Sequence, residues 1–440
     1  MNRLSTYTAL MLLLVLGLSA ISATSRIAPI TVKSSVDMRN GPGSYYKLLL
    51  RLKSGATAKK MDEEQQWLKI KASNKTGWIP RRSTYIEDTE KRTSPDQDQV
   101  KTSAEDAFDE LADGETDSAG TPSASQAQVA AAVKGFAKDF TSQKTESKNT
   151  DLLQNFDGFV SPSAYKEFRN QRLQNWSWDK AQSRFELKAN EAAGLDPLRE
   201  QAGWGIANVI AQQGLVENEA LQQYLTHITL VIAENSHRYE TPVQVYILDS
   251  TSITGYASPN GSIFVSRGLL KLIKNEAEFA FFAAHELAHI VHNHGIKETE
   301  KRKPKIKAEQ QFEELNQEIG ERKEKYKKVE AELTKLANQM YEYTVKDRLD
   351  EYEYDADYWA VAYTYRAGYH PGRGLDLLKR INNQQQQLGG QIEKTKWKGA
   401  SLQKRINKIE NQLKDLQIPS SFGRSYEYIF QRKMQALSDN

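Results

Sequence analysis

The 440-residue chain contains no cysteine. That excludes a disulfide framework and every zinc site built on thiolates, so any metal must be held by His, Asp or Glu. It also excludes a lipid anchor of the bacterial lipoprotein type. An excess of charge is lacking too. Lys and Arg total 60 against 57 Asp and Glu, for a formal net charge of +3, so composition gives no case for nucleic-acid binding. Beyond the N-terminus no stretch reaches the ~18 consecutive apolar residues of a spanning helix. Histidine is scarce, seven in all, yet His285, His289, His292 and His294 fall within ten residues.

What is present begins with an export pattern. Arg3 supplies positive charge, Ala9 to Leu18 form a compact apolar run, and Ser19-Ala20-Ile21-Ser22-Ala23 offer small residues for cleavage. Residues 1–23 read as a signal peptide, with an uncleaved anchor as the alternative. The mature chain is expected to be exported, periplasmic or extracellular, and soluble. Peripheral membrane association is compatible with this, and no oligomeric state follows from it.

Residues 28–87 read as a small β domain. Turn signals at Asn40-Gly41-Pro42-Gly43, Ser54-Gly55 and Ser73-Asn74-Lys75-Thr76-Gly77 separate β-prone runs. Trp67-Leu68-Lys69-Ile70-Lys71 alternates as a half-buried strand should. Residues 88–128 are poor in aromatics and rich in Ser, Asp, Glu, Thr, Gly and Gln, an acidic polar linker that cannot bury enough apolar surface to fold. From 130 to 420 a mainly helical domain is expected, with strands at Val243–Leu248 and Gly261–Ser266. A helix follows over Glu276–His292, with Asn275 as N-cap, Glu278 in the capping-box position and Gly295 as its stop. The whole is α+β. Within it, Phe312, Leu315, Ile319, Tyr326, Val329, Leu333, Leu336 and Met340 form a heptad seam in an insertion at 300–346. Leu402, Ile406, Ile409, Leu413 and Leu416 form a second seam. The two pack either with each other, as an antiparallel arm, or between copies of the chain.

The chemistry lies in His285-Glu286-Leu287-Ala288-His289. Helical residues four apart share a face, so two imidazoles can reach one ion with a carboxylate beside it. A catalytic zinc ion usually takes three protein ligands and keeps a position for water. With His292 and Gly295 in place of Gly and His, the metzincin pattern fails, so an acidic third ligand must come from farther along. Glu351-Tyr352-Glu353-Tyr354-Asp355-Ala356-Asp357 opens a helical segment and supplies the candidates. Glu353 and Asp357 share a face. One could bind metal while the other fixes a ligand imidazole. His292 is expected to pack at the helix end; His227 and His237 stand in no motif.

These segments resemble the gluzincin zinc metallopeptidase family that contains HtpX, the CaaX prenyl proteases and BepA (peptidase family M forty-eight). The matching stretches are Ser258–Leu270, Glu278–His289 and Glu353-Tyr354-Asp355-Ala356-Asp357, in order within about 195–410. The resemblance implies one Zn2+ per chain on His285, His289 and Glu353, with Glu286 as general base and Asp357 beside a ligand His; Glu351 competes for the third place. Residues 28–87 resemble the bacterial SH3-like domain in Val36–Gly43, Leu52–Gly55, Trp67–Ile70 and Gly77–Ile79, which implies a cell-wall or envelope ligand. Two departures stand out. If Arg405-Ile406 match the family's Arg-Ile, then Gly399-Ala400 stand where many soluble relatives carry His-Pro, and His370 is the only late histidine left to serve as a latch. Thr254-Gly255-Tyr256-Ala257 replace the usual Asn-Ala-Phe-Ala. Arg405 is the candidate for stabilising the transition state, and an extended substrate would lie along the strand near Tyr256. The implied function is an exported zinc endopeptidase acting on protein or peptide substrates, in envelope protein quality control. A chaperone or adaptor with a little-used metal site, or a hydrolase of cell-wall peptides, are the rival readings.

Overall fold

A computed structural model describes residues 29–33, 35–64, 66–85, 160–173, 176, 184–185, 187, 197–240, 243–297, 341, 349–387, 402–419 and 421–438. The signal-peptide, linker and 300–340 seam segments lie outside them, as do Gly399 and Ala400. The chain divides into two units, one of Met1–Pro42 with Leu48–Thr93, the other of Gly43–Lys47 with Ser94–Asn440. The fold is α+β.

The first unit is an antiparallel sheet of seven strands: β1 (Pro29–Val32), β2 (Val36–Arg39), β3 (Leu48–Leu52), β4 (Thr57–Glu64), β5 (Trp67–Ala72), β6 (Lys75–Pro80) and β7 (Thr84–Tyr85), in the order β3-β2-β6-β5-β4-β1-β7. Ile30, Val32, Met38, Leu68, Ile70 and Ile79 form its core. The turn expected over Ser73–Gly77 is shorter. Ser73 and Asn74 alone take positive φ (46° and 61°), and pairing resumes at Lys75 opposite Ala72. Two left-handed residues match the twist of a two-residue hairpin. Gly77 therefore lies within β6, where an added Cβ would come 2.6 Å from the Arg39 carbonyl oxygen. It serves close approach of strands rather than a turn.

The second unit is built around a small three-stranded sheet of β8 (Gln244–Leu248), β9 (Gly255–Ala257) and β10 (Ser262–Ser266), in the order β8-β10-β9. β8 and β10 run parallel, and β9 joins β10 antiparallel as an edge. The strands alternate between two apolar environments. Val245, Ile247, Ile263 and Val265 enter the main core, whereas Tyr246, Leu248 and Phe264 join Ile206, Val209 and Ile210. A sheet covered on both faces reads as a continuous apolar run, which is how β8 appears in the sequence.

Around the sheet stand α1 (Pro162–Arg172), α2 (Pro197–Ala211), α3 (Glu219–Glu234), α4 (Arg267–Leu272), α5 (Glu276–Val291), α6 (Asp350–Arg366), α7 (Gly372–Gln387), α8 (Leu402–Asp415) and α9 (Glu427–Ser438). Every residue of α5 is buried, as expected of a helix that is apolar on nearly all sides. It packs against α3, α6 and α7. The seam on α8 goes into this same core: Leu402, Ile406 and Ile409 are buried and α8 rests on α6 and α7. Heptad spacing describes any buried helical stripe of this length, so the stripe here is already covered within the domain. No described helix is long and apolar enough to cross a membrane.

Candidate metal centre

Buried ionic contacts fix the position of α5 at its start. Asn275 caps it, its Oδ1 accepting from Glu278 N at 3.0 Å, while Glu278 Oε2 accepts from Lys274 N at 2.8 Å. The reciprocal cap expected from the sequence is present, reaching one residue farther back. Arg380 Nη1 and Nη2 also donate to the two Glu278 oxygens, at 2.9 and 3.0 Å. Glu276, fully buried, receives Arg172 Nε and Nη2 at 2.8 and 2.7 Å, together with the hydroxyls of Tyr224 and Tyr369. Two bidentate arginine pairs in one helical turn leave α5 little freedom to slide or rotate.

About two turns after Glu278, His285 and His289 face the same side of the helix, and α6 brings Glu353 opposite them. His285 Nε2 lies 3.1 Å from His289 Nε2. The Glu353 oxygens lie 3.4 Å from the first and 3.5 Å from the second. The three candidate ligand atoms all fall within 4.8 Å of one another. Two imidazole nitrogens and a carboxylate oxygen converging on one point suit a zinc ion with a position left for water. The residues fit the metal that their pattern implies. Glu351, the competing ligand, is exposed and not in the group.

The far side of each imidazole is also engaged. His285 Nδ1 meets Asp357 Oδ1 at 3.0 Å. Arg405 grips Asp357 through Nε and Nη2, both at 2.7 Å, and touches Glu353 Oε2 through Nη1 at 3.0 Å. Arg405 is 2% exposed, and its guanidinium is turned to these two carboxylates. Burial alone would lower the His285 pKa, but the hydrogen bonds to Asp357 and Glu353 outweigh it and raise it to about 9. Burial works against the Asp357 charge, and the Arg405 guanidinium overcomes this to hold the carboxyl below the usual range.

Glu286 is buried beside the two histidines, beneath β9. An added Cβ on Gly255 would stand 3.4 Å from Glu286 Oε1 and 2.2 Å from the Phe282 ring. The Gly in Thr254-Gly255-Tyr256-Ala257 thus lets the edge strand lie directly on α5. Tyr256 turns to the other face of β9, among Tyr246, Phe264 and Ile206. Burial raises its hydroxyl pKa, and the nearby Glu286 charge adds to this.

α5 stops where the sequence places its end, short of Gly295. It ends at His292, and Asn293 takes φ 55°. Asn tolerates this left-handed position better than any residue but Gly, so the stop falls two residues before the glycine. His292 packs beside the helix end as expected, its Nε2 2.9 Å from the Tyr363 hydroxyl, and His237 Nδ1 meets the same hydroxyl at 2.7 Å. His294 was not anticipated in the site. Its Nδ1 lies 2.9 Å from His289 Nδ1 and its Nε2 3.0 Å from Asp355 Oδ2. The only sequence signal was the histidine-rich run itself. His370 belongs to a loop, where its Nδ1 accepts from Gly372 N at 3.0 Å.

Residues 219–412 match the profile of Peptidase family M48 and residues 32–84 that of the bacterial SH3 domain. The beta-barrel assembly-enhancing protease of Yersinia pestis is 23% identical over 106 residues, which cover 24% of this chain and 22% of that protein. Its counterpart in Escherichia coli (strain K12) is 22% identical over 80 residues, 18% of this chain and 16% of the relative. The match therefore spans about a fifth of those proteins' length. The helical unit carries a domain of Peptidase family M48, in a chain that also carries a bacterial SH3 domain.

Proposed function

We propose that this chain is an exported zinc-dependent endopeptidase that cleaves proteins or peptides in the bacterial envelope. The observation that carries the reading is the convergence of His285, His289 and Glu353, with Glu286 buried next to them. Bound there, a zinc ion would supply a water of lowered pKa and Lewis-acid polarisation of a carbonyl. Glu286 accepts the proton of the attacking water and returns it to the departing amine. Asp357 and Arg405 hold His285 and Glu353 in place. The edge strand β9 offers its outer side to an extended peptide, a form of recognition by strand addition. The N-terminal export pattern and the likeness to enzymes named for β-barrel assembly support an envelope setting and a role in protein quality control there.

The deciding experiment is metal analysis and a protease assay on the full-length protein and Glu286→Gln. Wild type should hold one zinc per chain and degrade an unfolded protein. Glu286→Gln should keep the zinc and lose at least about a hundredfold in rate, the usual contribution of a general base. Equal rates would favour a chaperone or adaptor that makes little use of its metal. The bacterial SH3 domain favours a second reading, hydrolysis of cell-wall peptides. Failure of the chain to bind purified peptidoglycan would count against it.

A further inference from the structure

The two ligand imidazoles are supported differently, and only one support follows from the E-x-x-x-D spacing. We propose that His294 and Asp355 form a proton-ordered relay that fixes the tautomer and orientation of His289. Along an unbroken helix, a residue five positions after His289 would stand roughly 140° away around the axis. The left-handed Asn293 breaks the helix and turns His294 back, so that the two imidazoles meet edge to face with centroids 5.0 Å apart.

The order of protons follows from the distances. His289 Nε2 faces the ligand group, 3.1 Å from His285 Nε2 and 3.5 Å from Glu353 Oε1. A neutral imidazole that ligates through Nε2 carries its proton on Nδ1. That proton points at His294 Nδ1, 2.9 Å away. Two nitrogens at this separation cannot both carry hydrogen, so His294 Nδ1 must present its lone pair. The His294 proton is then on Nε2, donated to Asp355 Oδ2 at 3.0 Å. Asp355, acting as acceptor only, selects this tautomer. His294 is 2% exposed, which keeps water from competing for the bond with His289.

His294 and Asp355 are positioning residues, and the inference rests on the metal-site reading. The test is zinc affinity of the full-length protein, measured by competition with a chromophoric chelator, with thermal melting of each metal-free variant alongside. In His294→Asn, the amide oxygen stands where the Nδ1 lone pair stood, so affinity should stay within about threefold of wild type. His294→Leu should weaken it by about tenfold to a hundredfold, the usual range for losing the partner of a ligand histidine. Both variants lose the contact with Asp355, so a merely structural role would move both alike.

At the other end of the relay, Asp355→Asn should weaken zinc binding more than Asp355→Ala. The amide NH2 of Asn would donate to His294 Nε2 and drive the proton onto Nδ1, against that of His289. The smaller Ala admits water and leaves the tautomer free. Equal affinities for His294→Asn and His294→Leu, or Asp355→Ala weaker than Asp355→Asn, would overturn the relay. Should a variant fail to fold, nitrogen-15 NMR of the zinc-loaded wild type decides by itself: among seven histidines, His294 must show the neutral Nε2–H tautomer, and the Nδ1–H or doubly protonated form refutes the proposal. Absence of zinc from wild type would overturn the metal-site reading and the relay together; zinc bound with the wrong order of variants overturns the relay alone.

Discussion

His285 and His289 sit one turn apart on one helix, yet they are held by opposite kinds of chemistry. Behind His285 lies a buried ionic group, in which Asp357 receives the imidazole at 3.0 Å and two Arg405 nitrogens at 2.7 Å. Behind His289 lies a second imidazole, and its carboxylate partner Asp355 is 44% exposed. The first arrangement is rigid and depends on every charge being paired, because an unpaired buried charge is strongly destabilising. The second ends near solvent, where water can replace a lost partner. One imidazole is thus secured by the folding of the domain, with α8 packed over α6, and the other by a short break in its own helix.

The harshest way to break the comparison is to remove Arg405. Arg405→Leu keeps an apolar side chain among Leu402, Ile406 and Ile409 but leaves the buried Asp357 carboxylate, and the partly buried Glu353 carboxylate, without their cation. A loss of about 3–5 kcal/mol is expected, the range for breaking one side of a buried pair. Urea unfolding of the metal-free domain measures it. Asp355→Ala, on the other side, should fall within about 1 kcal/mol of wild type, as expected when a partly exposed interaction is removed. Comparable losses from the two would erase the distinction.

A milder change asks whether the ionic support acts on the metal and not only on the fold. Asp357→Asn preserves shape but gives up the charge that Arg405 and His285 share. Zinc affinity should fall about tenfold to a hundredfold. The same measurement on Asp355→Ala should show a smaller loss, because water can accept the His294 proton. If Asp355→Ala lost more, the half-exposed side would be the more demanding of the two.

The two supports also differ in how far the sequence reveals them. His285, His289, Glu353 and Asp357 obey a spacing of four on two helices, a local rule that survives folding. The cap at Asn275 and Glu278 is similarly local, as are the continuous apolar runs of β8 and β10. Arg405 lies 48 residues from Asp357, and Arg172 lies 104 from Glu276. No period connects such pairs, and only the packing of α8 and α1 brings them in. That is why the contacts of Arg405 with Asp357 and Glu353 are not legible in the sequence. His294 escaped for a different reason. The sequence points to the end of the helix at His292 but to Gly295 as the left-handed residue; Asn293 takes that position instead, and the turn there brings His294 to His289. Heptad spacing on α8 likewise marks a buried stripe without naming what covers it.

A third buried histidine gives the smallest and most discriminating test. His227, on α3, packs with the rings of Tyr165 and Phe168, and its Nε2 has no hydrogen-bond partner among the described residues. His285 is as buried but paired with carboxylates, and its pKa rises to about 9; burial alone pushes that of His227 down to about 4. For a group lowered on folding, the unfolded chain binds the proton more readily. Stability is therefore complete above the ordinary value near 6.5 and is lost progressively as pH falls from there toward 4. His227→Phe removes the titrating group and keeps an aromatic ring in the nest. It should be about 1 kcal/mol more stable than wild type at pH 5.5, from one unit of pH at 1.36 kcal/mol per unit, with that relative gain gone at pH 8. Parallel stability curves for the two proteins between pH 8 and pH 5 would mean that burial without a carboxylate does not suffice to keep this imidazole neutral, and that the contrast with His285 lies elsewhere.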